Sequence, residues 1–400
     1  MGAGARAAAP GRAGTAGGFR RPPIDAKTLA MDDLETFKKL PLGGLDRRAL
    51  VSALAQNGLR AATELLAAQR ARITSAGARI APDAAVLLLG GSNGITRALA
   101  LQLLLGERAS VYGVHLDSEK MQIGPHHVQA LTAAAEAEGL TARFWNSDAT
   151  KPQTIAEVVA ELKGRHRAVH LVNGIAAGAT KRYPEHGPAK VLDLDVAFDP
   201  VLQVPDFSRP ENIRRLGLVD VEVANEGDID RTERFMGTSS LIWAEPLAAA
   251  GLLVPGESVV AFCDYDFEED DPVYGMGPLA GAKQIQRKSM AEIRDRFGVR
   301  TARVCYPPVA TTALGAIPGG LMMYGLSAVI LKEHGQFKDV IDLARDTMEI
   351  WCPGWDGADL RTDAAYQAIL PEFHARKSHL TPADIPGAFR VLFEEPPAAT

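Results

Sequence analysis

The sequence predicts an α/β protein in which helices cover both faces of a doubly wound parallel β-sheet. An uninterrupted apolar run, 85–89, is followed at once by a glycine-rich turn, 90–94, and then by an apolar-faced helix, 95–105. Such a run is typical of a strand that is buried on both faces of a parallel sheet. Short apolar runs and helical patterns then alternate along the chain, as they do in folds of this class.

The composition suits one large α/β unit. Of the 400 residues, 46% are hydrophobic, which is enough for an extensive core. The formal net charge of -6, without any basic run, argues against a nucleic-acid surface. The longest mostly apolar run, 319–331, is shorter than the roughly 20 residues that span a bilayer, so we expect a buried helix and no membrane span.

The cysteines indicate the redox environment. Cys263, Cys305 and Cys352 are far apart in the sequence and odd in number. They fit a reducing compartment better than a disulfide framework, and their spacing is not that of metal ligands. The sequence therefore predicts a cytoplasmic protein without a bound metal.

The N-terminal part of the chain carries no pattern that suggests chemistry. The first 23 residues hold four arginines, no acid and no continuous apolar core, so 1–31 is predicted to be a disordered tail, with a transit peptide as the alternative. Residues 32–83 form a predicted helical extension, because apolar residues recur there at three- and four-residue steps. We expect its glycines, Gly58 among them, to divide it into two or three helices that pack on the main unit, 84–400, or on a second subunit.

The turn after the first strand has the chemistry of a dinucleotide site. Its glycines let the backbone approach a pyrophosphate, which the free N–H groups and the dipole of the following helix attract. Asp117 follows the second predicted strand, 23 residues beyond Gly94, where a carboxylate can bind the hydroxyls of the adenosine ribose. This favours NAD(H), because a carboxylate there would repel a 2′-phosphate. The alternative is a solvated acid at a strand end.

The segments that follow extend the sheet. The predicted strands are 109–114, 142–146, 169–173, 258–263 and 301–306, and the predicted helices are 126–138, 152–163, 232–250 and 279–297. Between 183 and 231, prolines and charges interrupt the alternation and predict an inserted β hairpin or flap. After the last strand we expect the apolar helix 319–331 and an amphipathic helix that contains Val340 and Met348.

The chemistry is predicted at Tyr274 and Lys283, which lie nine positions apart on a glycine-rich approach to a helix. At this spacing a phenol and an ammonium can face one pocket. The phenol can then donate a proton, or a strong hydrogen bond, to an oxygen that becomes negative, while the cation lowers the pKa of the phenol. The alternative is a core tyrosine beside a solvated lysine.

Taken together, these segments resemble the trans-2-enoyl thioester reductases of the Tyr-x8-Lys type, which include NADH-dependent enoyl-ACP reductases and trans-2-enoyl-CoA reductases. These enzymes are long relatives of the short-chain dehydrogenases/reductases, with a Rossmann-type sheet. The resemblance runs from about Ala84 to Trp351. Its motifs are Gly90-Gly-Ser-Asn-Gly94, Gly113-Val-His-Leu-Asp117, Asn146-Ser-Asp148-Ala, Gly174-Ile-Ala-Ala, Phe235-Met-Gly237, Pro272-Val-Tyr274 to Lys283, and Thr312-Ala-Leu-Gly.

The resemblance implies a role for each matching position. Tyr274 would be the acid or oxyanion stabiliser, and Lys283 would bind the cofactor ribose and tune the tyrosine. Asp117 would hold the adenosine ribose. Gly90, Ser92 and Gly94 would hold the pyrophosphate and Asp148 the adenine edge, and the remaining cofactor-binding positions would be Asn93, Ile95, Ala149, Gly174 and Thr312.

The resemblance also implies the reaction. Hydride from NADH would add to the β-carbon of an enoyl thioester carried by CoA or by an acyl-carrier protein. The segments 183–231 and 319–351 would cover the substrate, with Met322, Met323 and Tyr324 over the acyl chain. We expect the protein to be a monomer or a homodimer.

Two departures from the family pattern concern the site. The family's Gly-Tyr-Gly after the loop is here Gly94-Ile95-Thr96. The family's second active-site tyrosine, ten residues before the first, is here Asp264, with Tyr265 next to it. A one-residue slip on a strand would turn Tyr265 to the other face, so we expect Asp264 to take the tyrosine's place, where a carboxylate disfavours an anionic intermediate unless it is protonated or turned away.

Three functions remain open at this point. The first is NADH-dependent reduction of the C=C bond of a trans-2-enoyl thioester or a related α,β-unsaturated carbonyl, with NADPH less favoured. The second is a carbonyl reductase or alcohol dehydrogenase that uses the same Tyr274 and Lys283 pair to protonate an alkoxide. The third is a catalytically silent cofactor-binding relative that acts through partners by means of its N-terminal helices.

Overall fold

A computed structural model describes residues 34–355, 357 and 359–394, and the tail predicted over 1–31 lies outside the described residues. The strands of the central sheet are β1 (Ala84–Leu89), β2 (Ser110–His115), β3 (Ala142–Asn146), β4 (Ala168–Asn173), β7 (Val259–Asp264), β8 (Arg300–Cys305) and β9 (Asp359–Arg361). This seven-stranded sheet is parallel and has the order β3-β2-β1-β4-β7-β8-β9. The doubly wound α/β fold predicted from the sequence is confirmed.

Helices cover both faces of the sheet and the hairpin inserted between β4 and β7. They are α1 (Arg47–Arg70), α2 (Gly94–Leu101), α3 (Gly124–Ala137), α4 (Pro152–Lys163), α5 (Glu226–Thr232), α6 (Ser239–Ala249), α7 (Pro278–Phe297), α8 (Gly320–Glu333), α9 (Val340–Thr347), α10 (Ala364–His379) and α11 (Ile385–Ala388). Alternate residues of β1 face the two layers: Val86 and Leu88 pack with α1, α2, α3 and α9, whereas Leu87 packs with α4, α6 and α7. This two-sided burial explains why β1 has no polar residue.

The strand order reverses between β1 and β4. Strands β2 and β3 lie on one side of β1, and β4, β7, β8 and β9 lie on the other. In open parallel sheets the connections leave opposite faces at such a point, and a crevice forms outside the carboxyl ends of the strands. The predicted site segments all follow the carboxyl ends of these strands.

The inserted flap is an antiparallel hairpin that packs against α8. Its strands are β5 (Ala189–Val196) and β6 (Ile213–Val221). Asp193 of β5 is fully buried, and its carboxylate accepts hydrogen bonds from the backbone N–H groups of Gly319 and Met322, each at 3.0 Å. Lys39, from the segment before α1, forms an ion pair with the same carboxylate. Asp193 therefore joins the hairpin, the start of α8 and the N-terminal segment.

The N-terminal extension holds a 3₁₀ turn at Pro41–Gly44 and one long α-helix. Helix α1 runs for 24 residues straight through Gly58, so the predicted break there is wrong. Gly58 packs against α3 so closely that a Cβ at this position would lie 2.5 Å from the Cδ2 atom of His126. The glycine is a contact point between two helices, and tertiary packing outweighs its low helix propensity.

Other differences are local. The helix predicted over 232–250 is divided into α5, a π-helical turn at Glu233–Gly237, and α6. Strand β9 and helix α10 follow the last predicted element and were not predicted. Within 34–355, 357 and 359–394, no helix has both the length and the apolar character needed to cross a bilayer.

Candidate active site

The glycine turn lies at the carboxyl end of β1, in the crevice. Gly90 has φ +86°, and a Cβ there would stand 3.1 Å from the carbonyl oxygen of Gly174, which follows β4. Thr96 donates a hydrogen bond from its hydroxyl to the Gly90 carbonyl at 2.6 Å. This bond closes the turn over the first residues of α2, so the predicted pyrophosphate positions and Gly174 lie together.

The start of α2 has its backbone donors free of side-chain caps. Asn93, the N-cap residue, makes no capping hydrogen bond with its side chain, so the first N–H groups of the helix are available to an anion. His127 of α3 lies beside this turn, with Nδ1 3.3 Å from the Ser92 carbonyl oxygen and 3.2 Å from Asn93 Oδ1. Burial lowers the pKa of His127 to about 3, so the imidazole is neutral.

Two further predicted cofactor positions lie around the same turn. Ile95 is half-buried and packs against the core on the α2 side of the sheet. Thr311, in the segment after β8, lies against Gly94, with its methyl carbon 3.1 Å from where a Cβ would stand. Thr312 is the next residue and is half-buried. The segment after β8 therefore covers the turn from above.

The residues predicted to bind adenosine lie in the segments after β2 and β3. Asn146 accepts a hydrogen bond from the Asp117 N–H and donates one to the Asp117 carbonyl, both at 2.9 Å. The Asp117 carboxylate is not free: one oxygen lies 2.8 Å from Nδ1 of His115, and the side chain is 7% exposed. Asp148 holds the next turn, where Oδ1 accepts hydrogen bonds from the N–H and the hydroxyl of Thr150, and the Ala149 carbonyl accepts one from Trp243 at 2.8 Å.

Tyr274 lies on a turn between β7 and α7. Asp271 forms this turn, because its Oδ1 accepts hydrogen bonds from the N–H groups of Val273 at 2.9 Å and Tyr274 at 2.7 Å. Such a turn is what an aspartate before a proline favours. Helix α7 begins four residues later and carries Lys283 on its buried face.

The second tyrosine of the site is Tyr265. Its ring packs edge to face against that of Tyr274, with centroids 4.9 Å apart and an interplanar angle of 74°. Its hydroxyl is buried and has no hydrogen-bond partner among the described residues. A buried hydroxyl without a partner is uncommon in proteins, and this one lies beside the predicted acid.

Asp264 does not take the place of the missing tyrosine, so that prediction is wrong. Its side chain is fully buried, and Oδ2 accepts hydrogen bonds from Arg287 at 2.9 and 3.0 Å and from Arg303 at 2.6 Å. The two guanidinium groups compensate the desolvated charge and hold the carboxylate in the interior. Asp264 is the last residue of β7, and beyond it the chain no longer follows the pleat, so Tyr265 can reach Tyr274.

Lys283 lies beside the ring of Tyr265. Its Nζ donates to the Cys263 carbonyl at 2.6 Å and to Gln286 Oε1 at 3.2 Å, and it lies 5.3 Å from the centroid of the Tyr265 ring. Burial lowers the pKa of Lys283, and the Asp264 carboxylate, 3.8 Å away, partly offsets this.

The pKa of each phenol lies above the ordinary value for tyrosine. Burial raises the pKa of Tyr274, and the charges of Asp271 and Asp193 raise it further. Burial also raises the pKa of Tyr265 well above its ordinary value. The prediction that Lys283 lowers the pKa of Tyr274 is therefore wrong here, because negative groups and apolar surroundings dominate. At neutral pH both hydroxyls are protonated and can donate hydrogen bonds.

Comparison with known proteins identifies the family. The family model described as the trans-2-enoyl-CoA reductase catalytic region matches residues 121–349, more than half of the chain. The chain belongs to this family. It is an oxidoreductase of the enoyl reductase type, as the sequence predicted.

Relatives agree with this assignment, and solved structures share the fold. Enoyl-[acyl-carrier-protein] reductase [NADH] of Chromohalobacter salexigens is 27% identical to this chain, and the match covers 73% of this chain and 74% of the relative. The enzyme of the same name from Burkholderia vietnamiensis is also 27% identical, and the match covers 73% of this chain and 75% of the relative. A trans-2-enoyl-CoA reductase of Clostridium acetobutulicum in complex with NAD has the same fold, with a TM-score of 0.65, 17% identity and coverage of 92% of this chain and 96% of its own. The structure of a trans-2-enoyl-CoA reductase of Treponema denticola in complex with NAD has a TM-score of 0.63 and 19% identity, and the match covers 89% of this chain and 89% of its own.

The reductase contains site residues that the sequence analysis did not single out. Arg287 and Arg303 hold Asp264, and the Tyr366 phenol and the Asp193 carboxylate influence the pKa of Tyr274. A signal existed for Arg287 alone, which lies four residues after Lys283 on the same helix face. The others come from β5, β8 and α10, and only the fold brings them to the site.

The helix predicted to cover the substrate has two different faces in the reductase. Met322 is fully buried in the core that α8 shares with the hairpin. Met323 and Tyr324 are half-buried, and Tyr324 lines a cavity of about 400 Å³, together with Tyr366 and the two prolines that follow β8. Met322 therefore belongs to the core, while Tyr324 faces a cavity near the carboxyl ends of β8 and β9.

Proposed function

We propose that the reductase catalyses the NADH-dependent reduction of the C=C bond of a trans-2-enoyl thioester. The observation that carries this proposal is the contact between Tyr265 and Tyr274, two buried and protonated phenols at the carboxyl edge that also bears the glycine turn. The relatives named enoyl-[acyl-carrier-protein] reductase [NADH] support the same reaction.

The residues at the carboxyl edge fit a dinucleotide. Gly90 leaves room where a Cβ would press on the Gly174 carbonyl, and the uncapped start of α2 offers N–H groups to a pyrophosphate. Asp148 and Ala149 hold the turn on which the adenine would lie. When bound, NADH would supply the hydride that reduces the double bond.

The phenols can stabilise the negative charge that the reaction creates on the substrate. Addition of hydride to the β-carbon of a conjugated thioester places negative charge on the thioester oxygen. A buried donor that is already aimed at this oxygen lowers the barrier, because no solvent has to reorganise. We assign this donation to Tyr274, with Tyr265 as the second donor, since its hydroxyl has no partner in the described part of the protein.

Lys283 would position both the cofactor and Tyr265. An ammonium group has three donors, and the Cys263 carbonyl and Gln286 accept two of them. The third is left for a ribose hydroxyl. The cation also lies against the Tyr265 ring, where it restricts the ring's orientation.

An assay with purified protein tests the proposal. Addition of crotonyl-CoA, or of longer trans-2-enoyl thioesters, should bleach NADH absorbance and yield the saturated thioester. Formation of an alcohol would instead identify a carbonyl reductase. NADH binding without turnover of any conjugated or carbonyl substrate would identify a silent relative.

The proposal also covers the carrier of the acyl group and the cellular compartment. The substrate would be an acyl thioester of CoA or of a carrier protein, and parallel assays with both carriers would separate them. The three cysteines are free thiols, which supports action in a reducing compartment such as the cytoplasm.

A further inference from the structure

The segment before α1 pairs with the edge of the inserted hairpin. The Phe37 N–H donates to the Leu218 carbonyl at 2.8 Å, and the Leu218 N–H donates to the Glu35 carbonyl at 2.9 Å. The Phe37 ring is buried, and the guanidinium of Arg215 lies 4.4 Å from its centroid. These contacts hold the segment against β6 and bring Lys39 to the hairpin.

Lys39 ends this segment in a buried ion pair. Its side chain is 9% exposed, and its ammonium group meets the fully buried carboxylate of Asp193. Among residues 34–355, 357 and 359–394, no other cation forms an ion pair with this carboxylate. A buried carboxylate that loses its counter-ion is strongly destabilised, because water cannot compensate the charge. Asp193 therefore depends on Lys39.

The same carboxylate holds the start of α8. Gly319 is the N-cap residue of this helix and has no side chain that could cap it. Asp193 does so from β5, since its two oxygens accept hydrogen bonds from the N–H groups of Gly319 and Met322, each at 3.0 Å. A carboxylate satisfies the free N–H groups of a helix start and interacts favourably with the helix dipole. The position of α8 is thus fixed by a residue of the hairpin.

The hairpin and α8 both reach the surroundings of Tyr274. Val191 lies two residues before Asp193 and hence on the same face of β5. Val191, Tyr274 and Ile317, which lies just before α8, pack against one apolar cluster. Burial and then nearby charges, that of Asp193 among them, raise the pKa of Tyr274. Further along α8, Tyr324 lines the cavity near the carboxyl ends of β8 and β9, so a shift of α8 would move the walls of the site.

We propose that Lys39 is a positioning residue of the reductase, whose ion pair with Asp193 keeps the start of α8 in the place that the substrate requires beside Tyr274. Lys39 acts through Asp193 and α8. The effect on turnover rests on the proposed function, whereas the attachment of α8 does not. A segment outside the region 121–349 that the family model matches thereby contributes to the active site.

Hydrogen exchange and kinetics on the full chain test the proposal together. Lys39→Met removes the ammonium group and keeps a long unbranched side chain. The N–H groups of Gly319 and Met322 should then exchange about 10-fold or more faster, because the unpaired carboxylate no longer holds them. The rise in α4, which makes no contact with Lys39 or Asp193, should be much smaller. NADH oxidation with crotonyl-CoA should show kcat lowered about 10-fold or more, because small displacements at an active site are costly.

Two further variants serve as controls. Lys38→Met changes the exposed neighbour of Lys39 and should leave exchange and kcat as in the wild type. The double variant Lys39→Met with Asp193→Asn contains no unpaired buried charge, and its amide oxygen can still accept a hydrogen bond from the helix start. It should therefore recover part of the exchange protection and part of kcat relative to Lys39→Met alone.

Each outcome decides the proposal. Unchanged exchange at the start of α8 in Lys39→Met would overturn it. An equal rise in α4 and α8 would also overturn it, because the ion pair would then contribute only to global stability. Absence of any recovery in the double variant would contradict the role of the charge. If the wild type reduces no enoyl thioester, the proposed reaction fails, and the exchange experiment still decides whether Lys39 holds α8.

Discussion

The rings of Tyr265 and Tyr274 lie edge to face, with centroids 4.9 Å apart. They reach this position from opposite ends of the acidic loop between β7 and α7. Because burial raises the pKa of each phenol, the pair keeps two protons in an apolar site.

The first prediction concerns Tyr274. Replacement by phenylalanine removes the donor to the developing oxyanion and should lower kcat for enoyl thioester reduction about 10²–10³-fold. Steady-state NADH oxidation would measure this. Tyr112→Phe is a suitable control, because the Tyr112 hydroxyl bonds His166 outside the site. An unchanged kcat in Tyr274→Phe would exclude Tyr274 as the donor.

Replacing Tyr265 with phenylalanine should lower activity without lowering stability. Its hydroxyl is buried without a partner among the described residues, so Tyr265→Phe removes an unsatisfied polar group and should leave the free energy of unfolding equal or higher. The same change should lower kcat, by about 10-fold or more. Urea unfolding and initial rates on one preparation test both effects. A fall in stability with full activity would assign the hydroxyl a structural role.

Replacing Asp264 with asparagine should lower the free energy of unfolding. In Asp264→Asn, Arg287 and Arg303 lose the charge that compensates their desolvation. Because Arg303 keeps ion pairs with Asp266 and Asp359, we expect a loss at the lower end of the range for breaking a buried pair, about 3 kcal/mol. Urea unfolding measures this loss.

An exposed ion pair provides the control for Asp264. Glu292→Gln breaks the pair with Arg296, in which both partners are roughly half exposed, and should cost no more than about 0.5 kcal/mol. Equal losses in Asp264→Asn and Glu292→Gln would contradict the buried network.

His127 should make stability sensitive to acid. Burial lowers its folded-state pKa to about 3, below the value of about 6.5 in an unfolded chain. The unfolded chain therefore binds more protons below pH ~6.5, and stability that is present above this pH is lost as the pH falls toward about 3. The difference between the urea midpoints at neutral and at mildly acidic pH should therefore be smaller in His127→Gln than in the wild type.

The matched control for His127 is the exposed histidine His334, which lies beside Glu372 at the surface. His334→Gln should keep the acid sensitivity of the wild type. His170, also buried and with its pKa lowered to about 4, remains in both variants, so a residual slope is expected. An undiminished slope in His127→Gln would show that His127 does not carry the effect.

The local pattern of the chain was enough to predict most of the sheet. The apolar run of β1 and the glycine turn predicted a strand, a turn and a helix because burial on both faces and a close backbone approach leave few other residue choices. The predicted bounds 142–146 and 152–163 agree with β3 and α4. The motif around Tyr274 and Lys283 indicated the family that the comparisons identify.

What the sequence by itself determined was the order of the main elements from β1 to α9, the glycine turn after β1 and the segment that carries Tyr274. What only the tertiary structure decided was the direction of side chains whose partners are distant in sequence. Asp264 turns inward because Arg287 and Arg303 meet it from α7 and β8, and Tyr265 is thereby left beside Tyr274. Gly58 lies against His126 because α1 packs across α3. Periodicity is a property of one segment, whereas the compensation of a buried charge depends on every segment that surrounds it.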